Sequence, residues 1–415
     1  MTADRYWLDP ERLHDLYKQH GSLAAVGRAM NGPTKETLGK WWRHHGFDEL
    51  PRGPKAGSTA RPPGAPVDEA EILRERVREL EAQVKQARAA DVHTERVVQA
   101  IERNARTLTT RPVPRRTRAT RTVANEQTFV ALLSDLHAGE TVRAERTLGA
   151  GGYDWEIMLG RLDRYVQSIL SHRHHFAAPI RRLVMPWLGD FTTGEIHEEL
   201  ALTNDRNGAE IVAQLGYDLA ERVVLPLAEA FETVEIDCVP GNHGRLSRKP
   251  QPKRPTFSGD WLAYKFAEAV TRPQRNVTWA IPDAGMQMRL VYGWRCLLMH
   301  GDGIRSSMPG VPWGGVSRRS ASLQEQAVAV GTPFDYLFCG HFHTANALDG
   351  VTAEVVMNGS TKGVDEYSLS AFGGGRGAKQ RLLSMHPDHG ITAAFWIDLE
   401  ERERLPLSER VRRAA

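Results

Sequence analysis

Eight residues at five places in this 415-residue chain have side chains suited to metal chemistry, and each place follows a short apolar run. TFVALLSDLH ends on Asp135 and His137, and RRLVMPWLGD ends on Asp190. VEIDCVPGNH ends on Asn242 and His243, RCLLMHGD carries His300, and DYLFCGHFH ends on His341 and His343. One such residue after an apolar run is more often a hydrogen-bonded loop residue than a ligand. Five run ends in a row, each carrying Asp, Asn or His, argue for convergence on one site. The donors mix nitrogen and oxygen and include no thiolate, which suits Mn, Fe or Zn better than Ca or Mg. So many donors exceed what one tetrahedral zinc can take. They suit two ions that share a bridging carboxylate, a recurrent arrangement for phosphoester hydrolysis.

These donors need elements to hold them. The five runs have the pattern of buried strands whose loops collect on one edge of a sheet. In extended backbone, residues i and i+2 point the same way. Asp135 with His137, and His341 with His343, are then expected to aim paired donors at one point, with Leu136 and Phe342 turned to the core. Gly189, Gly241 and Gly340 let the backbone turn tightly beside the ions. Helical stretches at 155–175 and 208–231 lie between the runs, so from Gln127 onward the chain reads as α/β.

The motifs D-x-H, GD, GNH, H and GHxH, in this order, resemble those of the calcineurin-like metallophosphoesterases over roughly residues 128–399. The resemblance implies a metallophosphoesterase β-sandwich flanked by helices. It implies two divalent metal ions, Mn²⁺ with Fe or Zn as alternatives. Asp135, His137 and His343 would hold one ion, and Asn242, His300 and His341 the other. Asp190 would bridge them. His243 would not be a ligand; it would contact the scissile phosphate and assist the leaving group. The chain departs from the family pattern at Gly244, where an acid commonly follows GNH, so the partner that orients His243 is not named by the sequence.

The formal charge of +3 is unevenly spread. Residues 1–130 hold 23 Lys/Arg against 17 Asp/Glu, a net +6, which fits either a polyanionic partner or a solvated basic surface. Residues 1–50 read as short helices: DPERLHDLYKQHG, then SLAAVGRAM from a capping Ser22, then PTKETLGKWWRHHGF. Their tight Asn31-Gly32 turn resembles a helix-turn-helix DNA-binding module, with a small helical adaptor as the other reading. Five prolines and three glycines make 51–66 a linker. Within the helical segment 67–106, Leu73, Val77, Leu80, Val84 and Ala87 fall at heptad spacing and lead on to Val98 and Ile101. A homodimer through 73–101 and an amphipathic helix packed on the catalytic domain are both consistent with it. The basic stretch 107–127 includes five arginines between 111 and 121 and reads as a strap. The domain 128–399 follows, and 400–415 is a charged tail.

The remaining composition is ordinary, with 41% hydrophobic and 25% charged residues, enough for a large core. Cys238, Cys296 and Cys339 each sit in an apolar run, which suits buried thiols and a reducing cytoplasm, bacterial or that of a phage-infected host. No stretch approaches the roughly 18 apolar residues of a membrane span, and no membrane partner is expected.

Arg245, Arg248 and Lys249 open a basic loop, 244–257, directly after His243, and are the candidate substrate contacts. The Gly-rich 365–380 stretch reads as a flap, and HRHH at 172–175 as a surface cluster. Together these features favour a DNA nuclease, in the manner of the Mre11 and SbcD branch or of phage relatives. A partner ATPase for such an enzyme is named by no motif here. A phosphatase or small-molecule or cyclic-nucleotide phosphodiesterase is the alternative. A non-catalytic DNA-binding regulator is the second alternative, against which the complete donor set argues.

Overall fold

The computed structural model of the chain describes residues 10–20, 22, 23, 25, 26, 38, 99, 125–194, 196, 198–304, 311–372 and 375–400. The chain divides into two compact units, 1–86 and 87–415. In the first, helix α1 (Pro10–His20) occupies the first expected helical stretch. Ser22 starts a further turn: its Oγ accepts from the Ala25 N–H at 3.2 Å and its carbonyl from the Val26 N–H at 3.0 Å. Most of the helix-turn-helix-like module, the 51–66 linker, nearly all of the 67–106 segment, the strap before residue 125 and the tail after 400 lie outside the described residues.

In the second unit the described strands are β1 (Gln127–Ala131), β2 (Ile180–Trp187), β3 (Thr233–Cys238), β4 (Val277–Ala280), β5 (Met286–Val291), β6 (Trp294–Met299), β7 (Tyr336–Cys339), β8 (Asn346–Asp349), β9 (Glu354–Met357), β10 (Lys379–His386) and β11 (Gly390–Asp398). They form a six-stranded sheet, β11-β10-β1-β2-β3-β4, and a five-stranded sheet, β5-β6-β7-β9-β8. Strands β1 to β4 run parallel, as do β6, β7 and β9. The five apolar runs of the sequence are β1, β2, β3, β6 and β7. They divide three and two between the sheets, so the donors do not line one edge of a single sheet, as the run pattern suggested. They follow the parallel strands of two sheets packed face to face.

Alternation along the strands decides the layers. Phe129, Ala131 and Leu133 share one buried cluster with the helices α2 (Trp155–His175), α4 (Gly208–Asp218) and α6 (Gly259–Thr271). Val130 and Leu132, on the opposite face, pack with Cys296, Leu298, Phe338 and Val356 of the second sheet. Leu337, Cys339, Val355 and Met357 then turn to Val316 of helix α7 (Trp313–Ala329). The order is therefore helix, sheet, sheet, helix. Burying one Val or Leu contributes about 1.5–3 kcal/mol, so a one-residue slip of β1 would misplace its whole apolar set. All three cysteines are buried and free.

The helix ends are capped locally. Asp154 accepts from the Ile157 N–H at the start of α2, at 2.8 Å. Asn207 and Glu210 form a reciprocal capping box on α4. From α4 the helix runs on through a π-helical stretch, Leu219–Val224, into α5 (Leu225–Ala230), after the short α3 (Glu198–Thr203) upstream. The Gly-rich 365–380 stretch is only partly what its composition suggests: it begins as helix α8 (Glu366–Phe372) and ends in β10. His172 and His175 bond back to Ser168 and Ser171 in the last turns of α2. Among the described residues, no helix is long and apolar enough to cross a membrane.

Candidate metal centre

The structure gathers seven of the eight residues into overlapping groups and sets Asn242 beside His300. Asp135, His137 and His343 offer donor atoms within 4.8 Å of one another, as do Asp190, His300 and His341. A third group, His137, Asp190 and His243, joins the two. Within them His343 Nε2 lies 3.3 Å from Asp135 Oδ1 and 3.1 Å from His137 Nε2. His300 Nε2 lies 3.0 Å from Asp190 Oδ2 and 3.1 Å from Asn242 Oδ1. The His243 backbone N–H donates to Asp190 Oδ1 at 2.7 Å. Asp190 is the residue shared between the two sides.

The backbone that aims these donors is not extended. Asp135, His137, Asp190, His341 and His343 all have φ between 50° and 71°. The paired donors therefore converge through left-handed turns beyond the strand ends, which corrects the i, i+2 reading of extended backbone. Leu136 between them is still fully buried. Each left-handed L-residue costs about 1–2 kcal/mol, so the turns must be stitched elsewhere. The Asp135 N–H donates to Gly189 O, the His137 N–H to Asp190 O and the Gly340 N–H to His300 O, at 2.9–3.0 Å. Asp135 also accepts from the His341 N–H at 3.0 Å. Glycine is required for space at these turns. A Cβ on Gly241 would lie 2.1 Å from Asp190 Oδ1, and one on Gly340 would lie 2.6 Å from Asp135 Oδ2.

Electrostatics fit a cation on each side. Burial, then the charge on Lys362, pushes the His137 imidazole well below its ordinary value. Burial and the neighbouring His300 bring His341 down to about 4. Both rings therefore keep a lone pair for a metal. Burial opposes charge on His300, but the Asp190 carboxylate outweighs it and pushes the ring up to about 10. Burial also opposes the charge on Asp190, yet His300 and His243 hold its carboxyl well below the usual range. A cation bound there would take the place of the proton that His300 shares with Asp190. His300 Nδ1 lies 2.7 Å from Leu188 O, so Nδ1 carries the hydrogen and Nε2 faces the site. In the same way His243 Nδ1 lies 3.2 Å from Thr193 O. That carbonyl orients His243 where Gly244 supplies no acid.

Further charged residues that the sequence did not single out hold the site: Asp260, and the buried set Lys362, Glu140 and Asp365. Asp260, near the start of α6, is fully buried. Its carboxylate accepts from the backbone N–H groups of Asp190, Thr192 and Gly241 and from the Thr192 hydroxyl, at 2.8–2.9 Å. A Cβ on Gly244 would lie 2.6 Å from its Oδ1, so the space after GNH is already taken by a carboxylate. We expect Asp260→Asn to set an amide N–H₂ against donors and to cost about 2–3 kcal/mol. Denaturant unfolding would measure it, and an unchanged midpoint would contradict the role. No local pattern announces Asp260, because its partners are 19–70 residues away.

Lys362 is the second, buried behind His137. It donates to Glu140 Oε1 at 2.9 Å and is paired with Asp365. Glu140 Oε2 lies 3.7 Å from His137 Nδ1, and neither atom has a hydrogen-bond partner. Burial opposes the charge on Asp365, but Lys362 outweighs it and holds the carboxyl at about 2. The folded value is below the unfolded one, about 3.9. The pair's stabilisation is thus fully present above about pH 4 and is lost as pH falls through about 2. Asp365→Asn should remove about 2 kcal/mol at neutral pH and flatten the loss between pH 4 and 2. Unfolding curves at pH 7 and pH 3 would show it; parallel losses in both proteins would refute it.

Of the basic candidates, Arg245 lines a cleft of about 320 Å³ that also reaches Gly241 and His300. Arg248 and Lys249 are exposed on the same loop and do not line the cleft.

No protein-family model matches the chain, and no curated protein matches it. Solved structures do. An archaeal phosphodiesterase is 10% identical over 65% of this chain and 98% of its own, with a TM-score of 0.31. The zinc complex of Vps29 from Entamoeba histolytica is 13% identical over 66% of this chain and 99% of its own, with a TM-score of 0.27. A 5′-nucleotidase-like protein from Staphylococcus aureus is 11% identical over 69% of this chain and 57% of its own, with a TM-score of 0.29. These likenesses are of outline, at low identity.

Proposed function

We propose that the chain is a two-metal phosphodiesterase of the calcineurin-like type and that its substrate is DNA. The observation that carries the reading is the position of Asp190, common to two sets of buried donors, with His243 beside it. Asp135, His137 and His343 would hold one divalent ion; Asn242, His300 and His341 would hold the other. Mn²⁺ is the ion of choice, with Fe or Zn as alternatives, given donors of mixed nitrogen and oxygen. Bound there, the ions supply Lewis acidity and lower the pKa of water at the site. The protein's own groups do the rest. Asp190 fixes the spacing of the two sides and accepts from the His243 N–H. His243 is oriented through Nδ1 by Thr193 O and would carry a proton on Nε2 for the departing oxygen. No covalent intermediate with the chain is required.

Support for nucleic acid comes from the loop after His243, where Arg245 faces the cleft and Arg248, Lys249 and Lys253 follow. The basic first third of the chain suits the same partner, and a homodimer through 73–101 would present two such sites. Purified protein with Mn²⁺ should degrade linear or single-stranded DNA. Activity confined to p-nitrophenyl phosphate or a cyclic nucleotide would favour a phosphatase or small-molecule phosphodiesterase instead. Deleting 1–106 should weaken DNA affinity while sparing a small diester; unchanged affinity would remove the first third from the interface.

A further inference from the structure

The cleft beside His300 has more basic lining than the metal centre needs. Its walls come from separated parts of the chain: the 240–257 stretch, the start of β5 at Met286, the 299–303 segment around His300, and helix α7 through Arg319. The loop is closed by pairing of Arg245 with Ser258 and by the Leu246 N–H donating to Phe257 O at 3.2 Å. The Nε atoms of Arg245 and Arg319 are buried and have no hydrogen-bond partner. An orphaned buried donor costs about 1–3 kcal/mol, so two at one cleft mark a place where acceptors are wanted. The Arg254 guanidinium lies over the Phe257 ring, 4.7 Å from its centroid, and adds a flat wall. Asp302 is the acid among the lining residues, next to the His300 end.

We propose that this cleft is a subsite for a second phosphate of the substrate, one nucleoside away from the scissile phosphate and on the His300 side. The inference deepens the phosphodiesterase reading and rests on it. A guanidinium fork matches phosphate oxygens in a bidentate way, and Arg245 and Arg319 approach from a loop and a helix that the fold positions independently. Phe257 and Met286 offer apolar faces to the nucleoside between the two phosphates. About 320 Å³ is room for such a unit. The subsite would select chains of linked nucleotides over lone phosphomonoesters.

The test is binding of two ligands to the full metal-loaded chain by titration calorimetry: thymidine 3′,5′-bisphosphate and thymidine 5′-monophosphate. The wild-type protein is expected to prefer the bisphosphate by about tenfold, the scale of one charge-assisted bidentate contact. Arg319→Gln should reduce the preference to about twofold or less, and Arg245→Gln should do the same from the other wall. Equal affinities in the wild type, or a preference untouched by Arg319→Gln, would overturn the proposal. A preserved preference in a protein that cleaves no phosphodiester would leave the subsite standing and contradict the phosphodiesterase reading.

Discussion

Asp190→Ala should strip the protein of both ions and lower kcat/KM on any phosphodiester by about 10³-fold or more, some 4 kcal/mol of transition-state stabilisation. The reason is its position. Asp190 Oδ2 lies 3.0 Å from His300 on one side, and its donor atom groups with His137 and His243 on the other. It also holds the His243 backbone through Oδ1. Removing it leaves His300 without the charge that pushes it up to about 10. His341→Ala should behave differently, because its donor groups only with Asp190 and His300; one ion should remain. Metal content and kcat/KM of both variants would check this. Two ions retained in Asp190→Ala would show that the residue is not shared.

His243→Ala should separate chemistry from metal binding. Loss of a positioned proton donor costs about 10²–10⁴-fold in rate, and the fall should appear in kcat. The metal content should not change, since Asp135, His137 and His343, and Asn242, His300 and His341, are intact. The effect should also depend on the leaving group. A diester with a good leaving group needs little proton donation, so the variant should lose less on bis(p-nitrophenyl) phosphate than on DNA. Loss of metal, or an equal loss on both substrates, would assign His243 a different role.

The positions of the strands that carry the donors could be read because they are buried on both faces. Such strands appear as unbroken apolar runs, as in LVMPW of β2 or YLFC of β7. Strand β5 could not be read this way. Its residues alternate, with Met286, Met288 and Leu290 on the open side. Arg289 on the other side reaches Asp237 and Glu235 of β3, at 2.5 and 2.9 Å, and ties the two sheets at that border. Donor types at the run ends were equally visible. The turn geometry was not: Asp and His are enriched in left-handed backbone, but that preference is too weak to mark which residue after an apolar run turns. Asp260, Glu140 and Lys362 stayed hidden for another reason: Glu140 and Lys362 are 222 residues apart in sequence and meet only in the folded chain.

The proposed chemistry needs two neighbouring cations held between Asp135 and His341, with Asp190 in common. Elemental analysis of catalytically active wild-type protein tests it most directly. Two transition-metal ions per chain are expected, both removed by chelation along with activity and both restored with it. Full activity in protein that contains no transition metal, or a single ion at saturation, would contradict it.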